Sequence, residues 1–121
     1  MVLYWQYVAL LGVHWFADFV CQTDWQAKNK SKDISALSAH VLSYTAVLGF
    51  WTCFLFERPS FLLFAFIMLN GALHFCTDYV TSRINSHLWA KGDTHNFFVS
   101  VGFDQYIHQV TLAVTAFYFL R

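Results

Sequence analysis

The chain has 121 residues, of which 58% are hydrophobic, 21% aromatic and only 12% charged. A soluble domain runs at about 45–50% apolar and about 25% charged, and a chain this small has too little interior to hide the excess from water, so the surplus is expected to face lipid. Seven acidic and seven basic residues cancel; with no basic run present, nucleic acid is excluded as a partner, and the apolar content excludes disorder.

Four apolar segments follow in chain order, each near the roughly 20 residues that a bilayer-crossing helix needs: residues 2–20, 36–57, 61–84 and 97–120. The first has no basic n-region or small-residue cleavage site, and it carries His14 and Asp18. It therefore reads as a span rather than a signal peptide. A long polar link, CQTDWQAKNKSKDIS, leads to the second segment, which contains His40. Arg58, Pro59 and Ser60 then make a tight turn into the third, which carries His74 and Asp78. A second long link, NSHLWAKGDTHN, has a Gly92-Asp93 turn signal and offers Thr94 or Asn96 as an N-cap for the last segment. That segment carries Asp104 and His108.

This pattern predicts an all-α, integral membrane, up-down four-helix bundle forming a single transmembrane domain over residues 1–121. Trp5, Trp51 and Tyr118 fall at one membrane face, with Trp25, Tyr79 and Trp89 at the other, as interfacial aromatic belts require. The long-link face holds Lys28, Lys30, Lys32, Arg83 and Lys91, against Arg58 and Arg121 opposite. The positive-inside rule places the long links in the cytoplasm and both termini outside.

Ionisable groups within spans are costly and persist with partners. His14 and Asp18, His74 and Asp78, and Asp104 and His108 are each spaced i, i+4, which puts each pair on one helical face. The pairs of spans 1 and 3 lie in their C-terminal halves, whereas His40 and the span 4 pair lie in N-terminal halves. With alternating helix directions all seven gather on one membrane side, on the order of 3–17 Å below the long-link face. Asn70, Ser43 and Tyr44 extend these faces at helical spacing and are candidates to orient imidazoles. HWFADFV at 14–20 and HFCTDYV at 74–80 repeat at a 60-residue period, which reads as two related helical hairpins about an axis along the membrane normal.

Four imidazoles and three carboxylates suit zinc first, with manganese or iron as alternatives. His14, Asp18, His40, His74, Asp78, Asp104 and His108 are the expected metal ligands. Asp104 is also a candidate general base, and His40 a candidate proton donor. His87 and His95 fall in a link and are read as solvated. Cys21, Cys53 and Cys76 are read as small buried apolar residues, with Cys76 turned away from His74 and Asp78.

The ordered set His14-x-x-x-Asp18-Phe19, Gln22-Thr23-Asp24-Trp25, lone His40, His74-x-x-x-Asp78-Tyr79 and Asp104-Gln105-x-x-His108 resembles domain-of-unknown-function family 3307, small integral membrane proteins of bacteria and phages. It is similar also to the broader group of membrane-bound metal-dependent hydrolases. The resemblance implies a bacterial inner-membrane location and metal-dependent hydrolysis without naming a substrate. The expected function is hydrolysis of a lipid or lipid-linked phosphate or ester at the cytoplasmic interface, where the site is expected to face. Membrane lipid and a lipid-like substrate are the expected partners, and a homo-oligomer is left open. Two alternatives come from other classes: a proton or divalent-metal transporter or relay, and a nonenzymatic interaction protein whose His-Asp cluster is structural. The half of the bundle away from the long links argues against conduction, since it holds few polar side chains beyond Gln6, Thr52, Thr111 and Thr115.

Overall fold

The computed structural model describes residues 2–121, and every regular element among them is helical. Helix α1 (Tyr4–Trp15) continues directly into a π-helical turn (Phe16–Val20); α2 (Asp24–Asn29) is short; α3 (Ile34–Leu55), α4 (Ser60–Ala90) and α5 (Thr94–Phe119) are long. By length and composition, two of the four expected spans, α3 and α4, meet what a membrane crossing requires. The α1 run is short, and Thr94, His95, Asn96, Asp104, Gln105, His108 and Gln109 dilute the apolarity of α5.

Local chemistry explains where the helices begin and end. The N–H of Gln26 donates to Thr23 Oγ1 while the N–H of Thr23 donates to Gln26 Oε1, at 3.2 and 3.1 Å. This reciprocal cap starts α2 inside a link expected to be irregular. Asp33 accepts from the N–H of Ser35 at 2.8 Å and starts α3 two residues ahead of the expected boundary. Pro59, with its fixed φ, precedes α4.

Helix α4 is the main departure from expectation. It runs through Asn85, Ser86 and His87 to Ala90, where the sequence reads as a link. Its 31 residues span about 46 Å, well beyond a hydrocarbon core of about 30 Å. Gly92 closes it at φ 73, a left-handed conformation that glycine adopts without penalty. The N-cap of α5 is Asp93, rather than Thr94 or Asn96: its carboxylate accepts from the backbone and side-chain N–H groups of Asn96 at 3.2 and 2.8 Å.

Successive packing of α3 on α4 and of α4 on α5 makes the body of the bundle, with α1 and α2 lying against α3. Close approach of α3 and α4 depends on Gly71, where a Cβ would lie 2.5 Å from Thr45 Oγ1. A cluster including Leu10, Tyr44, Leu48, Phe66, Leu112 and Ala116 fills the centre. Two ties close the short-link end: Gln6 Nε2 donates to the Leu55 carbonyl at 2.6 Å, and Arg58 Nε to the Leu120 carbonyl at 2.9 Å. The outward faces are apolar along much of their length, with Leu42, Phe54, Phe64 and Phe103 all more than half exposed. Cys53 and Cys76 lie on these faces and Cys21 is half-buried, so the cysteines are outward-facing apolar residues rather than core ones.

Candidate metal centre

Alternating helix direction brings the polar faces of α1, α3, α4 and α5 to one level. His14, Asp18, His40, His74, Asp78, Asp104 and His108 are all buried there. The i, i+4 pairs survive into the structure, with His74 Nε2 3.4 Å from Asp78 Oδ2 and His108 Nε2 3.4 Å from Asp104 Oδ1. The two H-x-x-x-D copies meet as expected, although one sits across a π turn and the other on a regular helix.

Six of the seven fall into two sets of potential ligand atoms: Asp18, His40, His74 and Asp78 form one, and Asp78, Asp104 and His108 the other. In the first set His40 Nε2 lies 3.1 Å from Asp18 Oδ1, 3.2 Å from His74 Nε2 and 3.3 Å from Asp78 Oδ2. His74 Nε2 lies 3.4 Å from each of the same two carboxylate oxygens. With every pair among these four atoms within 4.8 Å, the set brings two imidazole nitrogens and two carboxylate oxygens within reach of a single metal ion. The Nδ1 atoms of His40 and His74 are buried without a partner, so both rings are polarised only through the Nε2 atoms that face this point. The donor set and its dimensions fit a divalent cation.

Asp78 belongs to both sets and uses a different oxygen for each. Oδ2 faces His40 and His74, while Oδ1 lies 3.1 Å from His108 Nε2. The second set has three protein ligands rather than four, the arrangement that leaves a position for water or substrate. Lys30 also reaches in from the link after α2, and its ammonium donates to Asp78 Oδ2 at 3.0 Å. Its place in the link reads as a basic membrane-face residue, with binding of a phosphate headgroup by Lys28, Lys30, Arg83 and Lys91 as the alternative; the bond to a buried carboxylate was not legible.

His14 stands outside both sets. Its Nε2 faces Gln105 Oε1 at 3.1 Å and its Nδ1 faces the Tyr44 hydroxyl at 3.0 Å. Since an amide oxygen only accepts, the network assigns the proton to Nε2, and the Tyr44 O–H donates to Nδ1. Neither ring nitrogen then has a free lone pair for a metal. Gln105 turns its amide N–H groups to Asp18 Oδ2 and Asp104 Oδ2, at 3.2 and 3.0 Å. It thereby fixes two ligand carboxylates and His14 together. Thr81 Oγ1 donates to Asp104 Oδ1. Tyr44 stacks on the His74 ring with centroids 4.0 Å apart, which makes it an orienting residue as expected, whereas Asn70 turns instead to Thr115 Oγ1. His87 and His95 are exposed and apart from the cluster.

Fold and site together define a class: an all-helical bundle with a buried centre of imidazoles and carboxylates that could hold a metal ion. The chain belongs to the family described as protein of unknown function (DUF3307), whose family model matches residues 7–121. No curated protein and no solved structure matches it.

Proposed function

We propose that the chain is an integral membrane four-helix bundle housing a two-metal hydrolase centre. Its substrate is a lipid or lipid-linked phosphate or ester at the cytoplasmic face of a bacterial inner membrane. The observation that carries this reading is the shared Asp78: one carboxylate joins a closed four-ligand set to an open three-ligand set, and shared carboxylates are the means by which paired cations are held a few ångströms apart. Exposed aromatic and aliphatic side chains on the outer faces of α1, α3, α4 and α5 support the four-span arrangement. The two long links supply its basic face.

Asp18, His40, His74 and Asp78 would hold one cation, and Asp78, Asp104 and His108 the other; zinc suits the nitrogen and oxygen donors. When bound, such cations lower the pKa of water toward about 7 and polarise a phosphoryl or carbonyl oxygen. Asp104 Oδ2 is aimed by Gln105 and is the group placed to accept a proton from water. His40 serves as a ligand in this scheme, and His14 acts through Gln105 as a positioning residue.

A proton relay is less well supported. Beyond the cluster, Thr52 and Thr115 donate to carbonyls of their own helices, and the Asn70–Thr115 bond is not continued among the described residues into a hydrogen-bonded file toward the short-link end.

Elemental analysis of detergent-purified protein tests the reading together with turnover of short-chain phospholipids and esters. The expected result is two divalent ions per chain, both lost in Asp78→Ala, and chelator-sensitive hydrolysis that falls by about 10²–10⁴-fold in Asp104→Asn. Protein without bound metal and without chelator-sensitive turnover would overturn it.

A further inference from the structure

On the long-link side of the open ligand set lies a cavity of about 580 Å³, within the usual range for small-molecule sites. Asp104 and Gln105 form part of its floor, and Lys28 and Lys30 line it from the α2 side. Three side-chain atoms of its lining residues, Gln22 Oε1, Ser82 Oγ and Asn85 Oδ1, are buried with no hydrogen-bond partner; Ser82 itself is 8% exposed. Each such atom is destabilising unless something completes it, and three around one cavity give it a polar floor ready to pair with water or with a bound polar head. The remaining wall is aromatic. Phe19, Trp89 and Phe98 line the cavity and stay 46%, 62% and 63% exposed, so the same space continues onto an apolar outer surface.

A cavity polar at its floor and aromatic at its mouth fits an amphiphile. Charge then selects the head. With the two proposed divalent cations bound, three aspartates against those cations and Lys30 would leave a surplus of positive charge, to which Lys28 adds; an anionic phosphate matches that surplus and a neutral ester does not. We propose that this cavity is the headgroup site for a phosphate-bearing amphiphile. The phosphate sits between Lys28, Lys30 and the Asp104 edge of the centre, Ser82 donates to it, and the Gln22 and Asn85 amide oxygens, which only accept, face the water or hydroxyl donors around it. The chain leaves along Phe19 and Phe98. The assignment rests on the metal-centre reading for its charge argument and chooses phosphate over ester as the substrate class.

Trp89 supplies the readout. Full-length protein in detergent with zinc is titrated with dihexanoyl phosphatidic acid, dihexanoylglycerol and inorganic phosphate, and the emission change is taken as the difference from Trp89→Phe. The phosphatidic acid is expected to give a saturable change, with affinity at least tenfold weaker in Lys28→Glu, an exposed position that the fold tolerates, and severalfold weaker in Ser82→Ala. Dihexanoylglycerol is expected to give none, and inorganic phosphate to bind about a hundredfold more weakly for want of a buried chain. Equal binding of the diacylglycerol would overturn the phosphate assignment. Equal binding of inorganic phosphate would overturn the amphiphile, as would an unchanged Lys28→Glu. Selective binding of phosphatidic acid without turnover supports the headgroup site while removing the hydrolase. Turnover of an ester with no phosphate preference does the reverse.

Discussion

Asp78 uses both carboxylate oxygens, and its replacement is therefore expected to do more than the loss of any other ligand. Asp78→Asn should abolish binding of both ions, whereas His108→Ala should leave the four-ligand site occupied; metal-to-protein ratios after dialysis separate the two. Tyr44→Phe removes only a hydroxyl and keeps the ring on His74. It frees the His14 ring to turn and should weaken metal binding by about 10–100-fold, as orienting partners typically do, which competition with a chromogenic chelator would measure. The gathering of six of the seven residues was legible because i, i+4 spacing and alternating helix direction act on regular backbone. His14 shared that spacing and still fell outside the ligand sets, because its ring is claimed by Tyr44 and Gln105, partners 30 and 91 residues away. Lys30 and Gln105 were missed for related reasons. The direction of a lysine after a short helix depends on tertiary packing, and the reach of an amide next to Asp104 depends on which helix stands opposite.

At the level of elements, the contact of α3 with α4 is set by Gly71. An added methyl meets Thr45, whose hydroxyl is already bonded to the Val41 carbonyl at 2.7 Å and whose branched Cβ limits rotation. Gly71→Ala should cost about 1–3 kcal/mol, visible as a lower midpoint of thermal unfolding in detergent, with Gly102→Ala, which has open space around it, as the neutral comparison. Asp93 gives the start of α5 a pH dependence. Hydrogen bonds from the Asn96 side chain and backbone hold its carboxyl below the usual carboxylate range. Its contribution is fully present above that usual range and is lost as pH falls through the lowered value, so amide exchange in the first turn of α5 should speed up in acid and should lose that dependence in Asp93→Asn. Helix existence was legible from apolar runs. The extension of α4 to Ala90 was not, because Asn85, Ser86 and His87 resemble a link, and only packing against α5 with closure at Gly92 carries the helix through them. The start of α2 was available in Thr23-x-x-Gln26, a capping pattern whose meaning depends on the two side chains bonding back on each other.

For the whole molecule, the charge asymmetry predicts one membrane orientation, with the long links in the cytoplasm. In intact cells, a cysteine placed at Lys28 should resist a membrane-impermeant thiol reagent and one at Arg58 should react, in a background with the native cysteines replaced; the opposite pattern would place the centre on the outer side. The site's dispersal over four helices carries a further consequence for how the protein is made. Asp18, Asp78 and Asp104 lie on the π turn that continues α1, on α4 and on α5, so on the proposed four-span arrangement each of these segments, taken alone in a bilayer, would present a carboxylate that costs about 2.5–3.5 kcal/mol near the midplane and less toward the interface. Each carboxylate has one imidazole at i, i+4 on its own segment, while Lys30, His40 and the cross-helix imidazoles that complete it arrive from different parts of the chain. On that arrangement stable insertion is expected to be a collective event, with helices leaving the translocation machinery in partnered groups and the last of them, α5, completing the neutralisation of the rest.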